Sequence, residues 1–231
     1  MASIAGGGAT MTSACSERLV VPRRVAYASC YVYSPQGTSD VCERSRLLCA
    51  LLKSGDRYFI DKYVDRIQRE VAEHDQLSGF FSAADILIPV PSCTPGGGVN
   101  APARLAEVMF RRGLGSASWR GLKRVHAVHK SATAKIRPTV AMHFESFLVE
   151  ALDDSPPDSI MLIDDVVTKG RTLLAAAARV HIAFPKARIR AFAVLRTMGL
   201  VPEVPRLFEP WCGCIRWSHG DAQRDFGSES A

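Results

Sequence analysis

A chain of 231 residues, 47% hydrophobic and 23% charged, is long enough to bury one good core with a small appendage. It has no run approaching the ~18–20 apolar residues that cross a bilayer. The formal charge of +6 is uneven: Arg104 to Arg137 carries nine bases and one acid, Glu107, whereas Glu145 to Asp165 carries seven acids and no base. A basic run of this kind suits nucleic acid or a pyrophosphate equally. Seven cysteines, odd in number and scattered, argue against a disulfide framework and for a reducing cytoplasm.

Met1 to Ser16 is rich in Ala, Gly, Ser and Thr and lacks the basic start and apolar centre of a secretory signal. Residues 1–23 read as a disordered tail. Arg24 to Tyr33, β-branched and aromatic, predicts a strand, and Ser34-Pro-Gln-Gly37 a turn. Ser39 or Asp40 can cap a helix that stops at Lys53-Ser54-Gly55. Ile60, Val64, Ile67 and Val71 then form one apolar helical face. These elements, residues 24–80, are expected to pack on a core spanning 81–197.

Asp85-Ile-Leu-Ile-Pro-Val-Pro91 predicts a strand ended by proline. After it, Ser92-Cys93-Thr94-Pro-Gly-Gly-Gly98 leaves backbone free to wrap around a ligand. Asn100 and Pro102 suit a helix start, Leu105, Val108 and Met109 its core face, and Gly113 its end. Trp119 to Val125 reads as a strand into the polar, basic segment His126–Pro138. Phe144 to Val149 reads as a returning strand. His126, His129 and His143 lack a metal spacing and read as surface or hydrogen-bonded core histidines. Asp153-Asp154 lies in a Pro/Ser turn and reads as solvated.

The chemistry is densest in Ser159-Ile-Met-Leu-Ile-Asp-Asp-Val-Val-Thr-Lys-Gly-Arg-Thr-Leu-Leu174. An apolar strand buried on both faces meets two adjacent carboxylates. A short polar loop and an Ala-rich helix follow. The helix N-terminus offers free N–H groups and a positive dipole, a site for phosphate. Thr168 and Thr172 add hydroxyls, Lys169 and Arg171 add charge, and Gly170 permits a tight turn. Asp164 and Asp165 repel each other unless hydroxyl donors or a cation offset them; vicinal ribose hydroxyls with Mg²⁺ nearby would do so. Ala187 to Leu195 predicts a further strand, and alternating elements from Asp85 to Leu195 specify an α/β sheet with right-handed crossovers. The tail, residues 198–231, could close over the side of the basic 126–138 segment or pack on the sheet edge. Within it Cys212, Cys214 and His219 have poor spacing for a metal.

Asp164-Asp165-Val166-Val167-Thr168-Lys169-Gly170-Arg171-Thr172 resembles the phosphoribosyl-pyrophosphate (PRPP) motif of the type I phosphoribosyltransferases. The layout is nearest the ComF-like members, but no Cys-x-x-Cys zinc ribbon precedes it. The resemblance implies a mostly parallel central sheet flanked by helices, a hood region and an N-terminal helical segment. It implies that Asp164 and Asp165 hold the ribose hydroxyls, with Mg²⁺ held indirectly through those hydroxyls or water, and that Val166 to Thr172 bind the 5′-phosphate. It places a pyrophosphate loop at Pro91, Ser92, Cys93 and Thr94, and hood residues at Lys130, Lys135 and Arg137. The basic residue common in that loop is absent, so charge must come from elsewhere, with Arg104 a candidate. Where the 6-oxopurine salvage enzymes carry an Asp, Thr168 stands here, which disfavours hypoxanthine and guanine as acceptors. The expected ligands are PRPP or a nucleoside monophosphate, in a soluble protein compatible with a homodimer. The alternative is a non-catalytic member of the fold that binds nucleotide, or single-stranded nucleic acid across the basic 104–137 region, as a regulator or DNA-uptake factor.

Overall fold

The computed structural model describes residues 19–96, 100–128, 137–152, 156–199 and 201–225. The expectations for residues 1–18, Gly97 and Gly98, His129, Lys130, Lys135 and Asp153-Asp154 fall outside them.

Nine strands and six helices run in the order β1 (Arg24–Tyr33), α1 (Asp40–Ser54), α2 (Arg57–Glu73), α3 (Asp75–Ser78), β2 (Ile86–Pro89), α4 (Ala101–Arg111), β3 (Ala117–Ser118), β4 (Leu122–Arg124), α5 (Val140–Glu145), β5 (Phe147–Val149), β6 (Ser159–Val167), α6 (Arg171–Ala183), β7 (Arg188–Thr197), β8 (Phe208–Ser218) and β9 (Asp221–Arg224) among the described residues. Seven strands form one sheet in the order β3-β2-β6-β7-β1-β8-β9. The first five are parallel, and β8 and β9 are added antiparallel. The chain is thus an α/β protein with a mostly parallel central sheet flanked by helices. A separate two-stranded ribbon pairs β4 with β5.

Strand alternation divides the core between the two faces of this sheet. On β6, Ile160 and Leu162 join Leu173, Leu174 and Val180 of α6 and Phe144 of α5. Met161 and Ile163 join Leu52, Ile60, Ile67, Leu105 and Met109 of α1, α2 and α4 on the opposite face. The helices end where their caps dictate. Gly55, at φ 65°, closes α1 with its N–H on the Leu52 carbonyl, Asp56 caps α2 through the Phe59 N–H, and Asn100 caps α4 through the Ala103 N–H.

Two predicted strands differ. Trp119 to Val125 is broken: the Trp119 N–H bonds the Leu87 carbonyl of β2, whereas Leu122–Arg124 pair with β5 as β4. Phe144 lies in α5 rather than in a strand, because Thr139 caps a helix through the Met142 N–H and extended pairing starts only at Phe147. The tail packs on the sheet edge: β8 joins β1, which places β1 inside the sheet. At the other end of the parallel strands, buried Arg190 donates to both oxygens of Asp85 at 2.6 and 2.7 Å, and Ser159 adds a third bond to Asp85. Removing either partner of such a buried pair costs about 3–5 kcal/mol.

Candidate functional site

β6 is longer than its apolar run and carries both acids inside the strand. On one side β2 stops at Pro89, opposite Ile163. On the other, β7 continues, pairing Asp164 with Ala193 and Val167 with Arg196. The two carboxylates therefore begin where β2 ends, at the carboxyl edge of the sheet, the edge at which α/β proteins bind ligands. Asp164 Oδ1 accepts the Asp165 N–H at 2.9 Å, and Asp165 Oδ1 accepts the Val166 N–H at 2.7 Å. Lys53 Nζ, from the last turn of α1, donates to Asp165 Oδ2 at 2.8 Å. Burial, and then the charge of Asp165, push the Asp164 carboxyl well above its usual range. Burial pulls the Lys53 ammonium down, but Asp165 more than reverses this and its pKa is raised.

The loop after β6 turns at Gly170, whose φ of 86° is the left-handed conformation glycine tolerates. A Cβ there would also lie 2.8 Å from Ile215 of β8. Gly170 caps α6, with Arg171 and Thr172 half-buried in its first turn and Thr168 and Lys169 exposed before it. The C-terminal hairpin holds this loop. Arg224 Nε donates to the Thr168 carbonyl at 2.6 Å. Arg171 donates to both Asp221 oxygens at 2.6 and 2.5 Å, and through Nη1 to the Pro138 carbonyl at 3.2 Å. Lys169 Nζ lies 3.7 Å from the same Asp221. Arg171 is thus a clamp between the hairpin, α6 and Pro138 at the end of the basic 126–138 segment. Lys169 remains the loop's exposed cation.

Beside the acid pair, a cleft of about 220 Å³ is lined by Pro89, Pro91, Ser92, Thr94, Arg120 and Arg124, among others. Its position follows from register, since the Val90 N–H bonds the Ile163 carbonyl and brings the loop out next to Asp164. Cys93 contributes differently, its carbonyl accepting the Val128 N–H at 2.9 Å. Arg104 is not among the residues lining this cleft, and it bonds the Gly55 carbonyl at the end of α1. The cleft takes its bases from β4 and the residues before it: Arg120, Lys123 and Arg124. Arg124 stands on the Ser92 carbonyl at 2.5 Å and lies 4.2 Å over the Phe147 ring. Arg137 is exposed.

His126 is exposed, as a surface histidine should be. His143 corrects the expectation of a hydrogen-bonded core histidine: it is 5% exposed, and neither ring nitrogen has a partner among the described residues. Burial and the charges of Arg124 and Arg171 push it down to about 4. Sequence reasoning missed Lys53, Arg124, Asp221 and Arg224 as site residues. Lys53 was visible only as a helix stop, and Asp221 and Arg224 reach the loop only because a hairpin adds to the far side of β1. A larger groove, about 830 Å³, lies between α2, α3 and β8 and shares no lining residue with this cleft. At its edge Glu70, Glu73 and His74 are the metal-ligating side chains that converge among the described residues, rather than Cys212, Cys214 and His219. Comparison with protein-family models and with curated proteins gives no match.

Proposed function

We propose that the chain binds PRPP and transfers its ribose 5-phosphate to an acceptor, releasing pyrophosphate, as a protein of the type I phosphoribosyltransferase fold. One observation carries the reading. A single strand, β6, delivers two carboxylates and a glycine-turned helix N-terminus to the carboxyl edge of a parallel sheet, beside a second cleft lined with bases. The two anion sites flank the acids as the two phosphate ends of PRPP flank its ribose diol.

In this reading Asp164 and Asp165 accept the ribose hydroxyls. The N–H groups at the start of α6, with Thr168, Thr172 and Lys169, hold the 5′-phosphate. Ser92, Thr94, Arg120, Lys123 and Arg124 hold the pyrophosphate. The chain's contribution is positioning and preorganised charge around a developing oxocarbenium ion. The acid pair suits Mg²⁺: it offers hard oxygen donors, and the raised pKa of Asp164 marks a local demand for positive charge. When bound, Mg²⁺ supplies charge neutralisation for the pyrophosphate leaving group. Thr168 has no group to assist a purine ring nitrogen, which argues against 6-oxopurine acceptors.

The test is calorimetric binding of PRPP with Mg²⁺, followed by pyrophosphate release with a panel of nitrogen nucleophiles. Asp164→Asn and Asp165→Asn are each expected to weaken PRPP by about tenfold or more. A wild-type protein that binds neither PRPP nor a nucleoside monophosphate overturns the assignment. The second reading, ligand binding without turnover, is favoured by Arg171 of the motif being engaged by Asp221. PRPP binding with no pyrophosphate from any nucleophile would select it. Nucleic-acid affinity whose salt slope drops in Lys130→Ala and Lys135→Ala would instead give the basic run its own role.

A further inference from the structure

The acid pair is already provided with a cation from within the chain. Lys53 ends α1, the helix is stopped at Gly55, and the Gly55 carbonyl is tied to α4 by Arg104. The ammonium is therefore delivered from a fixed helix end rather than from a loose loop. It meets Asp165 Oδ2 at 2.8 Å, where the carboxylate is 18% exposed and the lysine side chain 55% exposed. Asp164 Oδ1, Asp165 Oδ1 and Asp165 Oδ2 each accept one bond, from the Asp165 N–H, the Val166 N–H and Lys53 respectively. An ionised carboxylate oxygen takes about two. A vicinal diol can thus join these oxygens without expelling Lys53, and the half-exposed ammonium keeps protons to spare.

We propose that Lys53 is the resident counter-cation of Asp164 and Asp165 and a positioning residue for a ribose diol, so that binding of the sugar half of the ligand does not depend on a divalent metal. The proposal rests on the phosphoribosyl reading above. It leaves Mg²⁺ indispensable only to the pyrophosphate half, although the metal can also serve the acid pair, and makes Lys53, far from the motif in sequence, part of sugar recognition.

The experiment uses ribose 5-phosphate, which lacks the pyrophosphate, in calorimetry with the full chain in EDTA and in millimolar Mg²⁺. 2-Deoxyribose 5-phosphate serves as the ligand without the diol. Wild type is expected to bind ribose 5-phosphate within about threefold in the two conditions. Lys53→Met is expected to lose about tenfold in EDTA, to recover most of it in Mg²⁺, and to discriminate less against the deoxy sugar. Lys53→Arg, which keeps the charge, should stay near wild type, with melting temperatures confirming that all variants fold. Loss of wild-type binding in EDTA, or a Lys53→Met protein that binds as wild type in EDTA, overturns the proposal while leaving the phosphoribosyl reading in place. Failure of ribose 5-phosphate to bind in either condition overturns both.

Discussion

Asp221 accepts two hydrogen bonds from Arg171, at 2.6 and 2.5 Å, and so ties the first turn of α6 to the turn of the C-terminal hairpin. The pair is bidentate and largely shielded, with side chains 20% and 32% exposed. A fork of this kind is worth more than an exposed ion pair. Asp221→Asn is expected to cost about 1–2 kcal/mol in urea unfolding. A double-mutant cycle with Arg171→Met should return a coupling of similar size. A coupling near zero would show that the hairpin merely lies beside the loop.

Gly170 is constrained twice, by its φ of 86° and by Ile215, which a Cβ would meet at 2.8 Å. Gly170→Ala therefore combines left-handed strain with overpacking and should destabilise by about 2–3 kcal/mol. Adding Ile215→Ala removes the clash but not the strain. The double variant should be less destabilised than the sum of its singles by about 1–2 kcal/mol. Strict additivity in thermal and urea melts would mean that β8 yields to the new methyl group.

Much of the fold was readable because its signals are local. The strand Arg24–Tyr33, the stop at Gly55, the Asn100 cap and the single apolar face of α2 depend only on residue type and period. The order of strand, acid pair, loop and helix from Ser159 to Ala183 was equally plain, although both acids proved to lie within the strand. What could not be read are partners that chain topology brings together. Asp85 looks like a strand start, and only the β2–β6–β7 order sets it on Arg190. Arg171 reads as a phosphate ligand, and only the distant hairpin reveals that it also pairs with Asp221. The helix α5 was hidden because its six residues are too few to show a period.

His143 gives the stability a pH dependence of definite sign. Its ordinary value of 6.5 falls to about 4 in the folded protein through burial, Arg124 and Arg171. The unfolded chain therefore takes up a proton first as pH falls, and stability is lost between about 6.5 and about 4. The full effect is on the order of 3 kcal/mol. His143→Leu should remove this part of the slope, so that the variant gains on wild type between pH 7 and pH 5 by on the order of 2 kcal/mol. Parallel urea curves for the two proteins across that range would assign the slope to other groups.

Asp164 sets stability against binding. Its folded pKa is raised by burial and by Asp165, so the folded protein holds the proton more tightly than the unfolded chain. Stability is accordingly lost as pH rises from the ordinary carboxyl value through the raised one. Above the raised value the ionised form carries that cost in full. Asp164→Asn keeps the shape and the acceptor for the Asp165 N–H but removes the charge. It is expected to unfold at higher urea, by about 1 kcal/mol, while losing PRPP affinity. This pairing separates a binding carboxylate from a structural one, since a group retained for the fold alone would lose stability on the same substitution. A destabilised Asp164→Asn protein that still binds PRPP would remove Asp164 from the sugar site.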